Sequence, residues 1–180
     1  MSELTATESG RHTSLRQHPW LPVAVQVVVI VVLFAIAGAF CGWLWQHLWT
    51  PPKGVVANHT WYTDEKGLRS DFSGTALYVL IAVPAGLLIG AVTAFLFDRA
   101  ELATLLAVVV GAVLAAWLMW QVGVHSNPVD PHEAATTAKD GTKLVGDLHV
   151  TGKAPFVAFP VGALSALIVV FLGLAKRHRR

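Results

Sequence analysis

Polar stretches in this chain alternate with four apolar runs that contain no Asp, Glu, Lys or Arg: Leu21 to Trp49, Phe72 to Phe97, Leu102 to Val129 and Ala154 to Ala175. Each run is longer than the roughly 20 residues a helix needs to cross about 30 Å of hydrocarbon. None shows the polar face of a helix half-buried in a water-soluble protein. The pattern predicts an all-α membrane protein with transmembrane helices at about 22–46, 75–97, 102–124 and 156–175, a domain covering residues 20–175.

Between the runs lie one tight turn, Phe97 to Glu101, and two longer polar segments, 51–73 and 126–155, which share one side of the membrane if there are four spans. Segments of that length are expected to carry structure of their own. Val55 to Thr63 is β-prone, and Asp64-Glu65-Lys66-Gly67 reads as a turn. Asn58-His59-Thr60 also fits the glycosylation sequon, a short match that arises often by chance. In the second segment, Asp130-Pro131-His132-Glu133 has the order of a helix start, with Asp as cap, Pro first and Glu third. That helix would run from Pro131 to about Lys139 and end at Gly141. Lys143 to Val150 is strand-like and is expected to pair with Val55–Thr63 in a small cap, since a lone strand leaves its backbone groups unpaired.

Small residues recur at intervals of four inside the runs: Gly38 and Gly42; Ala82, Gly86, Gly90 and Ala94; Ala107, Gly111 and Ala115; Ala158, Gly162 and Ala166. Such ladders allow helix backbones to approach closely, so these are the expected packing faces. Trp43, Trp45, Trp49, Trp117 and Trp120 stand near helix ends, where tryptophan forms an interfacial belt. The run ends also resemble each other. Trp43 matches Trp117, Trp45-Gln46 matches Trp120-Gln121, Ser73-Gly74 matches Thr151-Gly152, and Pro84-x-Gly86 matches Pro160-x-Gly162, at offsets of 74 to 78 residues. The chain thus reads as a duplicated two-helix hairpin, its copies related by an axis along the membrane normal.

Charge sets the expected orientation. Lys176, Arg177, Arg179 and Arg180 abut the fourth run, Arg11 and Arg16 precede the first, and Arg99 lies in the tight turn. The positive-inside rule makes that side cytoplasmic. Residues 1–19 then form a disordered cytoplasmic tail, 176–180 a basic cytoplasmic tail, and the two long segments face outward, in a multi-pass protein of the cell membrane. A net charge of +2 gives no reason to expect nucleic acid as a partner. The single cysteine, Cys41, lies inside a run and excludes an internal disulfide.

Chemistry is sparse. The runs offer only Gln26, Cys41, Thr93, Thr104 and Ser165 besides terminal residues, and no ionisable pair of the kind coupled carriers use. Nucleophile, zinc-protease and P-loop signatures are absent, so no catalytic residue and no cofactor is assigned. His59, His125, His132 and His149, with Glu133, Asp130 and Asp147, form the one candidate metal set, although their spacings match no ligand motif. The Ala/Val/Leu-rich helices with Trp-Pro endings resemble small four-helix membrane proteins of unknown function from high-GC actinobacteria, a resemblance that implies no activity. The expected partners are the lipid bilayer and either another protein or further copies of the chain. An accessory or scaffold role leads. A small transporter or pore, with Trp45, Gln46, Trp120 and Gln121 at its mouth, is the alternative, followed by a metal- or haem-binding protein.

Overall fold

A computed structural model describes residues 20–97, 101–125 and 127–177, and the side chains of these except Trp20, Lys66, Asp71 and 173–177. The predicted N-terminal tail, the turn residues 98–100 and the last three residues of the basic tail lie outside this range.

Among the described residues four helices are long and apolar enough to cross a membrane, which makes this an all-α membrane fold. They are α1 (Trp20–Leu48), α2 (Glu65–Leu96), α3 (Glu101–Val124) and, after a short helix, α5 (Ala158–Arg177), which is preceded by a 3₁₀ turn at Ala154–Val157. Helix α2 starts ten residues before the predicted start at 75, and seven before its uncharged run. Asp64 is its N-cap, and a carboxylate oxygen accepts the Gly67 N–H at 2.8 Å, so the expected turn at 64–67 is the first turn of a helix. At 32 residues α2 is about 48 Å long, well beyond the hydrocarbon thickness, and its first turns rise into the cap. At the other end, α5 continues through Lys176 and Arg177, which were expected to lie in the tail.

The cap is a three-stranded sheet of order β2-β1-β3 with a one-and-a-half-turn helix, α4 (Pro131–Ala135). Val55–Thr63 is not one strand but a hairpin of β1 (Lys53–Ala57) and β2 (Thr60–Thr63). Asn58 and His59 make its two-residue turn with φ of 50° and 58°, the left-handed geometry such a turn requires. β3 (Lys143–Val145) pairs antiparallel with β1, Gly54 opposite Leu144, and stops short of the expected Val150. Helix α4 starts as predicted, with Asp130 accepting the His132 N–H at 2.8 Å, and is shorter than predicted. Val56 and Ala135 are buried within the cap, and Leu148 joins the core of the bundle.

Packing inside the bundle joins like with like. The closest helix pairs are α1 with α3 and α2 with α5, each a parallel pair; helices adjacent in sequence touch less. Small residues make this possible. A Cβ on Gly38 would meet the Ala115 backbone, and one on Gly42 the Met119 carbonyl. One on Gly86 would meet the Phe159 carbonyl, and one on Gly162 the Val83 carbonyl, with Gly90 set against Ala163 in the same way. Gly111 lies under the Phe34 ring. Burial repeats along the chain. Ile30, Phe34, Gly38, Cys41, Gly42 and Trp45 of α1 are buried, and so is every residue 74 positions later: Thr104, Val108, Ala112, Ala115, Ala116 and Met119. In α2 and α5 the shared positions, 76 apart, are Ala82 with Ala158, Gly86 with Gly162 and Gly90 with Ala166. In this register Trp45 corresponds to Met119 rather than Trp120. Gly74, buried in α2, has no likeness to Gly152, which is exposed in a loop at φ 80°.

Candidate functional site

Three segments of the cap bring chemistry together: Trp61 from β2, Asp130, Pro131 and His132 at the start of α4, and Gly146, Asp147 and His149 after β3. They line a recess of about 310 Å³. Trp61 reaches it because Gly54, on the neighbouring strand, has no side chain; a Cβ there would collide with the indole. Gly146 is needed for a similar reason, since Pro52 fills the space its side chain would take.

The electrostatics are those of two carboxylates and two imidazoles around one indole. One oxygen of Asp130 is committed to the His132 backbone N–H as the α4 cap. Asp147 stands 3.7 Å from Nδ1 of His149. The His132 ring meets Trp61 edge-on, with centroids 5.3 Å apart. The Trp61 indole N–H is buried and has no acceptor among the described residues, an arrangement that costs stability. Of the candidate metal ligands, His132 and His149 share this recess with Asp130 and Asp147. His59 sits in the exposed hairpin turn, His125 at the end of α3, and Glu133 is exposed on α4. Among the described residues no three His, Cys, Asp or Glu side chains converge as a metal site.

The tryptophans divide by role. Trp43 and Trp117 are about half exposed, at 52% and 48%, as a membrane-interface belt requires. Trp45 is fully buried, its N–H donating to the Gly74 carbonyl at 2.8 Å. Trp49 is half-buried and donates to the Ser70 carbonyl at 3.3 Å, while Trp120 packs on Phe156. Trp43 and Trp117 thus face outward near the helix ends, whereas Trp45 is part of the core. Two polar contacts carry no sequence motif. Tyr78 Oη donates to the Ala116 carbonyl at 2.8 Å, and Gln26 donates to Thr104 Oγ1 at 2.7 Å. Thr104 in turn donates to the Phe97 carbonyl at 3.3 Å, satisfying an acceptor at the end of α2.

Comparison with protein-family models, with curated proteins and with solved structures found no match to this chain.

Proposed function

We propose that this chain is a non-catalytic accessory or scaffold protein of the cell membrane, acting through a protein partner that docks on its cap. The observation that carries the reading is the outward face of the sheet. Tyr62 stands opposite Val55 there, and Val145 lies diagonal to Val55, at 58%, 43% and 40% exposure, with Lys143 opposite Val55 and Lys53 opposite Val145. An aliphatic pair with one exposed aromatic on a rigid sheet is the composition of an interface anchor. The interior supports the same reading. Phe34, Trp45, Tyr78, Met119 and Phe159 fill the bundle interior, and among the described residues the fully buried polar side chains are Thr93 and Thr104, near the α2 and α3 ends away from the cap. A solvated or ion-coupled path needs polar or ionisable groups in that interior. The mouth imagined for a pore is also divided, because Trp45 belongs to the core.

The matching burial registers of α1 with α3 and of α2 with α5 support descent from a duplicated hairpin, and the basic residues support a cytoplasmic location for both termini. A photo-crosslinking residue at Tyr62 tests the partner reading. One larger membrane protein captured reproducibly is the expected result. Crosslinks only to further copies, with solute flux in reconstituted liposomes, would replace this reading with a pore.

A further inference from the structure

The Trp-Gln pair occurs twice, as Trp45-Gln46 and Trp120-Gln121, and the fold separates its two halves. The tryptophans turn toward other helices, Trp45 against Tyr78 and Trp120 against Phe156. The glutamines, 75 residues apart in sequence, converge on one recess of about 340 Å³ along the α1/α3 seam. Trp43, Leu118, Val122 and His125 complete its walls. Gln121 and His125 are exposed and Gln46 is half-buried. Among the described residues, neither carboxamide has a hydrogen-bond partner.

We propose that this recess is a lipid site, for a polyhydroxylated headgroup, glycosyl or glycerol, in the leaflet on the cap side. Depth assigns the source. Trp43, Gln46, Leu118, Gln121 and Val122 all belong to the last two turns of membrane-spanning helices, at the level of the half-exposed Trp43 and Trp117, so bilayer surrounds them. Chemistry assigns the class. A carboxamide both donates and accepts, as a neutral imidazole does, and a hydroxyl is the group that needs both. No Lys, Arg, Asp or Glu lines the recess, so it offers nothing to a headgroup recognised by its charge. Trp43, with one face of its ring stacked on His47, supplies an apolar wall for a sugar or glycerol C–H face, while Leu118 and Val122 meet the start of the acyl chains. A docking helix is the poorer occupant. The small residues that would admit one, Gly38 and Gly42, are already closed against Ala115 and Met119 of α3.

Full-length protein in phosphatidylcholine nanodiscs doped with monoglucosyl-diacylglycerol or phosphatidylglycerol, read by native mass spectrometry of the lipid retained after release, tests the site. The expected result is retention of a hydroxylated lipid over phosphatidylcholine. Replacing both glutamines (Gln46→Leu with Gln121→Leu) should lower that retention about tenfold, the loss expected for two neutral hydrogen bonds. The wild-type headgroup preference is informative whether or not the double variant folds. Equal retention of phosphatidylcholine, or unchanged retention in a folded double variant, overturns the site. Displacement by free glucose or glycerol overturns the lipid assignment, and a crosslink from residue 121 to another protein helix overturns both.

Discussion

The indole N–H of Trp45 donates to the backbone carbonyl of Gly74 over 2.8 Å, tying the end of α1 to the start of the transmembrane part of α2. The same ring meets Tyr78 edge-on at 5.1 Å, and Tyr78 passes the link to α3 through its hydrogen bond to Ala116. One aromatic pair therefore joins three of the four spanning helices just below the cap. Trp45→Phe keeps most of the ring and removes one hydrogen bond, so it should cost about 0.5–1.5 kcal/mol. Trp45→Ala also opens a cavity and should cost about 3–5 kcal/mol. Melting in detergent measures both. A Trp45→Ala protein as stable as wild type would return this residue to the lipid interface.

Gly86 against the Phe159 carbonyl and Gly162 against the Val83 carbonyl make a reciprocal contact with no room for a methyl group. Gly86→Ala and Gly162→Ala should each destabilise, and the leucine variants more so, because backbone rather than a movable side chain fills the space. Overpacking of this kind costs about 1–3 kcal/mol. Leu88→Ala, at a position 67% exposed, is the control and should leave melting almost unchanged. Equal melting of Gly86→Leu and wild type would mean that these faces look at lipid.

In the cap, Gly54 holds the space that the Trp61 indole covers. Gly54→Ala should push Trp61 aside and open the recess it walls. The near-ultraviolet circular dichroism and tryptophan emission should change while helix content stays constant. If the emission is unaltered, Trp61 is not held by this contact.

The spanning helices were legible because hydrocarbon thickness leaves few ways to use more than twenty uncharged residues. Their partners were less so. Interval-four ladders mark a packing face without saying which helix it meets, and the fold pairs α1 with α3 and α2 with α5 rather than closing each hairpin on itself. The start of α2 was hidden because Asp64 serves a turn and an N-cap by the same side-chain chemistry, and residues 65–71 are too polar to register as part of a span. His59 in a left-handed turn residue hid the β1–β2 hairpin, since Gly, Asn or Asp usually marks that position. Trp45 looked interfacial because its position in sequence matches that of Trp43. Only the direction it takes from the helix, toward Tyr78, separates the two.

Metal content gives a direct reading on the cap. His132 and His149 share a recess, but no third ligand converges with them among the described residues. Structural zinc takes four protein ligands. Purified protein should therefore carry zinc, copper or haem well below stoichiometry after supplementation, by elemental analysis and absorption spectrum. Stoichiometric metal that is lost in a His132→Ala, His149→Ala variant would make the recess a metal centre.

Orientation is the last prediction. The sheet and α4 stand on one side of the bundle, while α2 ends at Leu96 and α3 begins at Glu101 on the other. Arg11, Arg16, Arg99, Lys176, Arg177, Arg179 and Arg180 belong to that second side if the chain crosses four times, and retention of basic residues in the cytoplasm then puts the cap outside. Single cysteines at Thr60 and Thr137 suit the test because both side chains are exposed. The background should be Cys41→Ala rather than serine, since Cys41 is only 6% exposed and a buried hydroxyl there would need a partner. In intact cells an impermeant thiol reagent should label Thr60→Cys and Thr137→Cys and leave Ser9→Cys unlabelled until the membrane is opened. The opposite labelling would place the cap in the cytoplasm, and the proposed partner would then have to be sought among proteins on that side.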